Sequence, residues 1–343
     1  MEKRARIPGF ALQVLVLLAA IPMIGAWAAG AKETSAPQTQ TLTKVTLRLN
    51  WKITGPHAAY YLGKDLGYYK AEGIDLQIDE GNGSVTAAQL VANGSNNFGL
   101  SDAAAVIPLV AKGLPIECVG MVSPRTSLAV IARKDSGINS LKDLEGKTLA
   151  VTAGDALTQI WPAVVAANNL DSNAIKLVYV DAAAKIPLVL EKKADALLGS
   201  SSDQNFTMEA HGVPATAIDF ADHGVNVLNL GLWVNKDWAK GHSDLVSRFL
   251  RATQKSMGAL LQDNNMEKAA GLLSAAKPEL ELKVALQQTK AYAAQFKSPN
   301  CADQPLLFNC PEDWSQTLQI LTTYQGLKTD MKAGDFYTNE YFK

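Results

Sequence analysis

Between Val45 and Val234 the chain repeats one pattern: a short apolar or alternating run, a break at Gly or Asn, then a longer segment with helical spacing. Strands separated by helices in this way build α/β folds, because each returning helix covers a face of the sheet that its neighbouring strands form. The runs place strands near 44–50, 73–78, 97–100, 116–122, 127–132, 147–152, 176–180, 195–199 and 227–234, and the intervening helices predict largely parallel sheets. From Trp238 onward the strand signal stops. Helical spacing then covers 237–263, about 264–276, 279–296 and 312–326, with Pro278 and Pro299 as punctuation. No fixed-period repeat or heptad run interrupts this order, which excludes solenoids and coiled coils.

Length divides the pattern in two. A single core stops growing near about 250–300 residues, and the chain has 343, so two lobes with one cleft are expected. The boundaries between the two strand series place lobe I at 44–126 plus 230–343 and lobe II, inserted in it, at 127–229. Ahead of them, Lys3, Arg4 and Arg6 precede an apolar stretch from Phe10 to Ile24, and Ala26-Trp27-Ala28 and Ala29-Gly30-Ala31 offer small-residue cleavage sites. This predicts a cleaved signal peptide over 1–31 and therefore a periplasmic protein. The apolar stretch, broken by Gln13 and Pro22, is short for a hydrocarbon core of about 30 Å. The polar segment 32–43, KETSAPQTQTLT, reads as a flexible tether.

Cleavage after Ala31 would leave 29 Lys and Arg against 32 Asp and Glu. So balanced a surface is not built for nucleic acid or anionic lipid. An exported chain with three Cys, two of them flanking a short Pro-containing loop, predicts a Cys301 to Cys310 disulfide and an inert Cys118. No His or Cys stands at ligand spacing from them, so no metal site is expected.

In open α/β sheets ligands gather beyond the carboxyl ends of the strands. The residues there form a coherent set. Trp51 follows the first strand, with His57 and Tyr61 one helical turn apart beyond it. Ser84 ends Gly81-Asn82-Gly83-Ser84, Ser101 and Asp102 follow the third strand, and Thr126 follows Arg125 near the first crossing. The second series contributes Asp155 after Thr152-Ala153-Gly154, Asp203 after Ser200-Ser201-Ser202, and Asp222. Asp102, Asp155 and Ser84 also stand where helix N-caps belong; Trp51 also suits a core and His57 a surface turn. The stretch GNGS lacks the spacing and Lys of a phosphate-cradling loop.

The segment LRLNWKITGPHAAYYLGKDLGYYKAEGIDLQI resembles the opening of the periplasmic binding proteins that serve thiamine-pyrimidine, sulfonate, taurine and nitrate importers. TAAQLVANGSNNFGLSDAAAV, ARKDSGINSLKDLEGKTLAV and VDAAAKIPLVLEKKADALLGS follow in that family's order and spacing, so the resemblance covers nearly the whole mature chain. It implies a type II, Venus-flytrap fold, to which the helical segments after Trp238 add a C-terminal wrap, and nothing in the sequence demands more than a monomer. Its partners would be a small-molecule ligand, a membrane permease and a cytoplasmic ATPase. The ligand-binding set expected is Trp51, His57, Tyr61, Ser84, Ser101, Asp102, Thr126, Asp155 and Asp203. An aromatic face and several carboxylates suit an aminopyrimidine or related heteroaromatic, whereas Arg125 and the amides after Gly83 and Gly154 suit a sulfonate, nitrate or other organic anion. The same fold resembles a eukaryotic pyrimidine synthase that uses pyridoxal phosphate and iron and carries a Cys-rich motif. That motif, a Gly-x-Ser-x-Gly elbow and HExxH are all missing here. The expectation is therefore a binder without cofactor and not an enzyme.

Overall fold

Val45, Leu47, Ile74 and Leu76 alternate with polar neighbours and are buried, which fixes the inner face of the first strands. The computed structural model describes residues 41–342. The expected signal peptide and most of the tether lie outside them. The ten strands are β1 (Thr43–Arg48), β2 (Ile74–Asp79), β3 (Phe98–Asp102), β4 (Ile116–Met121), β5 (Leu128–Arg133), β6 (Thr148–Val151), β7 (Lys176–Tyr179), β8 (Ala196–Ser200), β9 (Ala215–Asp219) and β10 (Leu230–Asn235). They form two five-stranded sheets, ordered β2-β1-β3-β10-β4 and β7-β6-β8-β5-β9.

Each sheet is parallel over three strands and antiparallel around one. The expectation of largely parallel sheets is corrected at these two strands. β10 runs against both β3 and β4, and β5 against both β8 and β9, because they are the strands that enter a sheet from the other one. β9, which the sequence reading left out, is an edge strand whose text, ATAID, carries only a weak alternation.

Helices α1 (Ala58–Asp65), α2 (Tyr68–Ala71), α3 (Ser84–Ala92) and α4 (Ala103–Val110) connect the first strands. α5 (Ala156–Ala167), α6 (Lys185–Leu190) and α7 (Gln204–Ala210) serve the second sheet. α8 (Lys236–Gly241), α9 (Ser243–Leu260), α10 (Asp263–Ala276), α11 (Leu282–Ala293) and α12 (Pro311–Tyr324) follow β10. The helix expected over 237–263 is thus two: Gly241 closes α8, and His242 leaves helical geometry at φ −133° before α9 begins.

The chain crosses between sheets after β4 and again after β9, and the crossings are bonded to each other. Val122 N–H and Ser123 N–H donate to Leu230 O at 2.9 and 3.0 Å, and Asn229 N–H donates to Ser123 O at 3.1 Å. On one flank α4, α5 and α12 share an apolar cluster that includes Ile107, Ile160, Trp161, Phe220 and Trp314. The first sheet packs on a second cluster with α1, α9, α10 and α11. Apolar packing therefore joins the two halves on one flank, and polar groups are left to face one another elsewhere. Cys301 and Cys310 are disulfide-bonded and Cys118 is buried and free.

Candidate functional site

A cavity of about 70 Å³ lies between the sheets and draws its walls from the strand ends of both. From the first side, Trp51 follows β1 and His57 ends the turn before α1. The chain folds tightly there because a Cβ on Gly55 would stand 2.3 Å from the Cβ of Gln288. Thr54 N–H donates to His57 Nδ1 at 3.1 Å, so the ring proton sits on Nε2 and reaches Asn50 Oδ1 at 3.1 Å. Complete burial pushes His57 from its ordinary value down to about 3, so the ring is neutral.

Asp102 closes β3. Its Oδ2 accepts from Ser84 Oγ at 2.7 Å, and Ser84 Oγ accepts from Asp102 N–H at 3.0 Å. Neither residue acts as a side-chain cap: Asp102 leaves the amides of α4 alone, and Gly83 holds the cap position of α3. Burial, with a contribution from Asp155, raises the Asp102 carboxyl to about 6 against the pull of Ser84.

From the second side, Asp155 does cap α5, its Oδ1 accepting from Thr158 N–H at 2.8 Å. Its Oδ2 meets Lys185 Nζ at 3.1 Å, with both side chains almost wholly buried. Lys185 Nζ in turn lies 5.2 Å from the centre of the Trp51 ring, across the cavity. Burial lowers the Lys185 ammonium from its ordinary value although Asp155 opposes the shift. Asp203, before α7, accepts from Gln288 Nε2 at 2.7 Å and from Gln204 Nε2 at 3.0 Å, and burial holds it at about 6.

Two contacts tie the rim. Gln288, on α11, accepts from Gly55 N–H at 3.0 Å while donating to Asp203. Gly154 O accepts from Val85 N–H at 3.3 Å, and a Cβ on Gly83 would come within 2.6 Å of the same oxygen.

Of the nine residues expected from sequence, Trp51, His57, Ser84, Asp102, Asp155 and Asp203 line this cavity, and Tyr61, Ser101 and Thr126 do not. Tyr61 packs, partly buried, on the apolar cluster beneath the first sheet. Ser101 turns back to donate to Ser84 O, and Thr126 Oγ1 accepts from Leu128 N–H to shape the crossing. Arg125 and Asp222 also lie elsewhere, paired with each other at 3.4 Å on the surface, with side chains 58% and 65% exposed. Lys185, Gln288 and Tyr292, which the sequence reading missed, do line or close the site. Lys185 sits in the loop and helix after β7, so applying the strand-end rule to that strand as well would have found it. Gln288 and Tyr292 come from the C-terminal helices, which carry no such signal.

A family model described as NMT1/THI5 like matches residues 54–266. A protein of Legionella pneumophila named 4-amino-5-hydroxymethyl-2-methylpyrimidine phosphate synthase is 25% identical over 306 residues, covering 87% of this chain and 92% of its own. Riboflavin-binding protein RibY of Chloroflexus aurantiacus is 23% identical over 357 residues, covering 99% and 98%. The alkanesulfonate-binding protein SsuA of Xanthomonas axonopodis pv. citri, solved with MOPS, superposes with a TM-score of 0.66 at 14% identity, covering 86% of this chain and 98% of its own. The α/β fold, with its helical C-terminal part, is that of the periplasmic binding proteins. The expectation that the chain is not an enzyme is corrected here. A relative named as a synthase aligns with most of the chain, so missing Cys clusters and catalytic motifs do not exclude catalysis.

Proposed function

Because the chain belongs to the NMT1/THI5-like family, we propose that it captures a flat, amino-bearing nitrogen heterocycle, an aminopyrimidine of the thiamine-precursor kind, between two hinged lobes. In this reading it is the extracytoplasmic binding component of an ABC importer. It is a monomer that hands its ligand to a membrane permease driven by a cytoplasmic ATPase. Lobe I carries the first sheet and the C-terminal helices, lobe II carries the second sheet, and the bonded pair of crossings is the hinge.

One observation carries the ligand class: the cavity sets the Trp51 ring beside three buried carboxylates, while its lysine is already paired. A ring stacked on Trp51 gains aromatic contact, and its N–H groups meet acceptors. A bare oxyanion would meet Asp102, Asp155 and Asp203 with no free cation in the cavity lining. The names of two relatives also refer to flat nitrogen heterocycles. At about 70 Å³ the cavity is smaller than the roughly 150 Å³ that accommodates a benzene, so a ring enters only by parting the two sides. A neighbouring cavity of about 330 Å³ shares Trp51, Lys185 and Asp203 and offers the room.

The test is a thermal-shift and calorimetric panel on the protein beginning at Lys32. 4-Amino-5-hydroxymethyl-2-methylpyrimidine is expected to raise the melting temperature, and Trp51→Ala is expected to weaken its binding by about 1 kcal/mol or more. A response to taurine, an alkanesulfonate or nitrate, with none to the pyrimidine or to riboflavin, would overturn the assignment.

A further inference from the structure

The three carboxylates of the cavity differ in what they have left to give. Asp155 uses Oδ1 on Thr158 and Oδ2 on Lys185. Asp203 uses Oδ1 on Gln288 and Oδ2 on Gln204. Asp102 uses Oδ2 on Ser84, but its Oδ1 is buried and makes no hydrogen bond in this structure, the Asn50 side chain being near enough only to favour its charge. Asp102 is 3% exposed, so the oxygen has no bulk water to fall back on. Folded chains rarely leave such an atom unpaired, because its desolvation is uncompensated. A second buried atom that makes no hydrogen bond in this structure, the Tyr292 hydroxyl, belongs to a residue lining the same cavity, with Ser123 close by. The tyrosine and Asp102 feel each other electrostatically: the carboxylate helps burial to hold the phenol above its usual range.

We propose that Asp102 Oδ1 is the specificity-determining acceptor of the site and takes a hydrogen bond from the exocyclic amino group of the bound ring, with the Tyr292 hydroxyl donating to the adjacent ring nitrogen. This rests on the aminopyrimidine reading and sharpens it. A 4-aminopyrimidine shows a donor beside an acceptor, which matches a carboxylate beside a hydroxyl. The corresponding 4-oxo compound, in its lactam form, shows an acceptor beside a donor, so its carbonyl oxygen would face the carboxylate. A site whose buried acceptor is satisfied by one analogue and repelled by the other discriminates far more strongly than a shape fit does. An ionised Asp102 is costly at this buried position, since burial and Asp155 both disfavour its charge. A ligand N–H relieves that cost, and the amino compound gains what the oxo compound cannot.

Calorimetry at neutral pH with 4-amino-5-hydroxymethyl-2-methylpyrimidine and its 4-oxo analogue tests this on the wild type, Asp102→Asn and Tyr292→Phe. The wild type is expected to prefer the amino compound by at least about tenfold, the scale of one hydrogen bond to a charged group. Asp102→Asn keeps an oxygen for Ser84 and turns an N–H to the ring, so it is expected to erase or invert that preference while melting no lower than the wild type. Tyr292→Phe is expected to weaken the amino compound alone. If the wild type binds both analogues equally, or if folded Asp102→Asn retains the wild-type preference, Asp102 does not read the ring, though the aminopyrimidine reading survives. If folded wild type binds neither compound, the reading of the ligand fails and the role of Asp102 falls with it. Should Asp102→Asn fail to fold, the wild-type preference and Tyr292→Phe still decide.

Discussion

His57 shows how a residue can look like a surface histidine in the sequence and be something else in the fold. Both ring nitrogens are engaged, by Thr54 and Asn50, and the ring is 1% exposed. Its neutral form is locked in, so the proton that an unfolded chain takes up near pH 6.5 is refused down to about 3. The stability this contributes is whole above pH 6.5 and is lost as pH falls toward 3, because the unfolded state then binds the extra proton. Asp102 and Asp203 act with the opposite sign: protonating at about 6 in the fold and near 3.8 outside it, they favour the folded state as pH falls between those values. The His57 share is isolated by comparison with His57→Gln. The stability of the wild type relative to the variant is expected to fall by about 2 kcal/mol between pH 7 and pH 5, measured by denaturant melts at each pH. Residues that line the cavity were legible where they stand at or a few positions past a strand end, as Trp51, Asp102, Asp155 and Asp203 do. The rule misled at Ser101 and Thr126, whose side chains bond to nearby main chain instead, and at Tyr61, whose ring packs on the core.

Among the elements, α11 does what no local pattern announces. Its apolar positions Val284, Ala285, Tyr292 and Ala293 are buried as helical spacing predicts, yet Gln288 on the same buried side reaches Gly55 on one flank of the cavity and Asp203 on the other. A buried amide spanning two units that part would have its bonds made only when they meet. Gln288→Leu keeps the volume and removes both bonds, leaving the Gly55 amide and Asp203 Oδ1 without that partner. Each such loss costs about 1–3 kcal/mol. The variant is expected to bind 4-amino-5-hydroxymethyl-2-methylpyrimidine at least about tenfold more weakly. An unchanged dissociation constant would show that the latch is inert. Nine of the ten strands among the described residues were legible from short apolar or alternating runs, since a face turned to the core leaves that signature. Their direction was not: periodicity says nothing about whether β5 and β10 run with or against their neighbours, which depends on the crossings. The break at Gly241-His242 was equally hidden, because amphipathic spacing continues in the letters on both sides of it.

Taken whole, the molecule holds its halves together by apolar packing of α4, α5 and α12 on one flank and by polar contacts across the cavity, Gln288 to Asp203 and Val85 N–H to Gly154 O. Apolar contacts tolerate small rotations, whereas hydrogen bonds across a gap are either made or broken, so opening is expected at the polar side about the paired crossings. Small-angle scattering is expected to show the radius of gyration falling when 4-amino-5-hydroxymethyl-2-methylpyrimidine is added. An unchanged radius at saturation would mean that the halves do not move. In the proposed closure, the contact between Gly83 and Gly154 would set how far the movement goes. It is made of main chain on both sides, so no exchange of side chains lining the cavity shifts it, and it works as a calliper with a fixed zero. A guest thinner than the gap at that setting lets the jaws seat fully and shields the Val85 amide from deuterium. A thicker one holds them ajar, and the exchange rate of that single amide becomes a gauge of guest thickness.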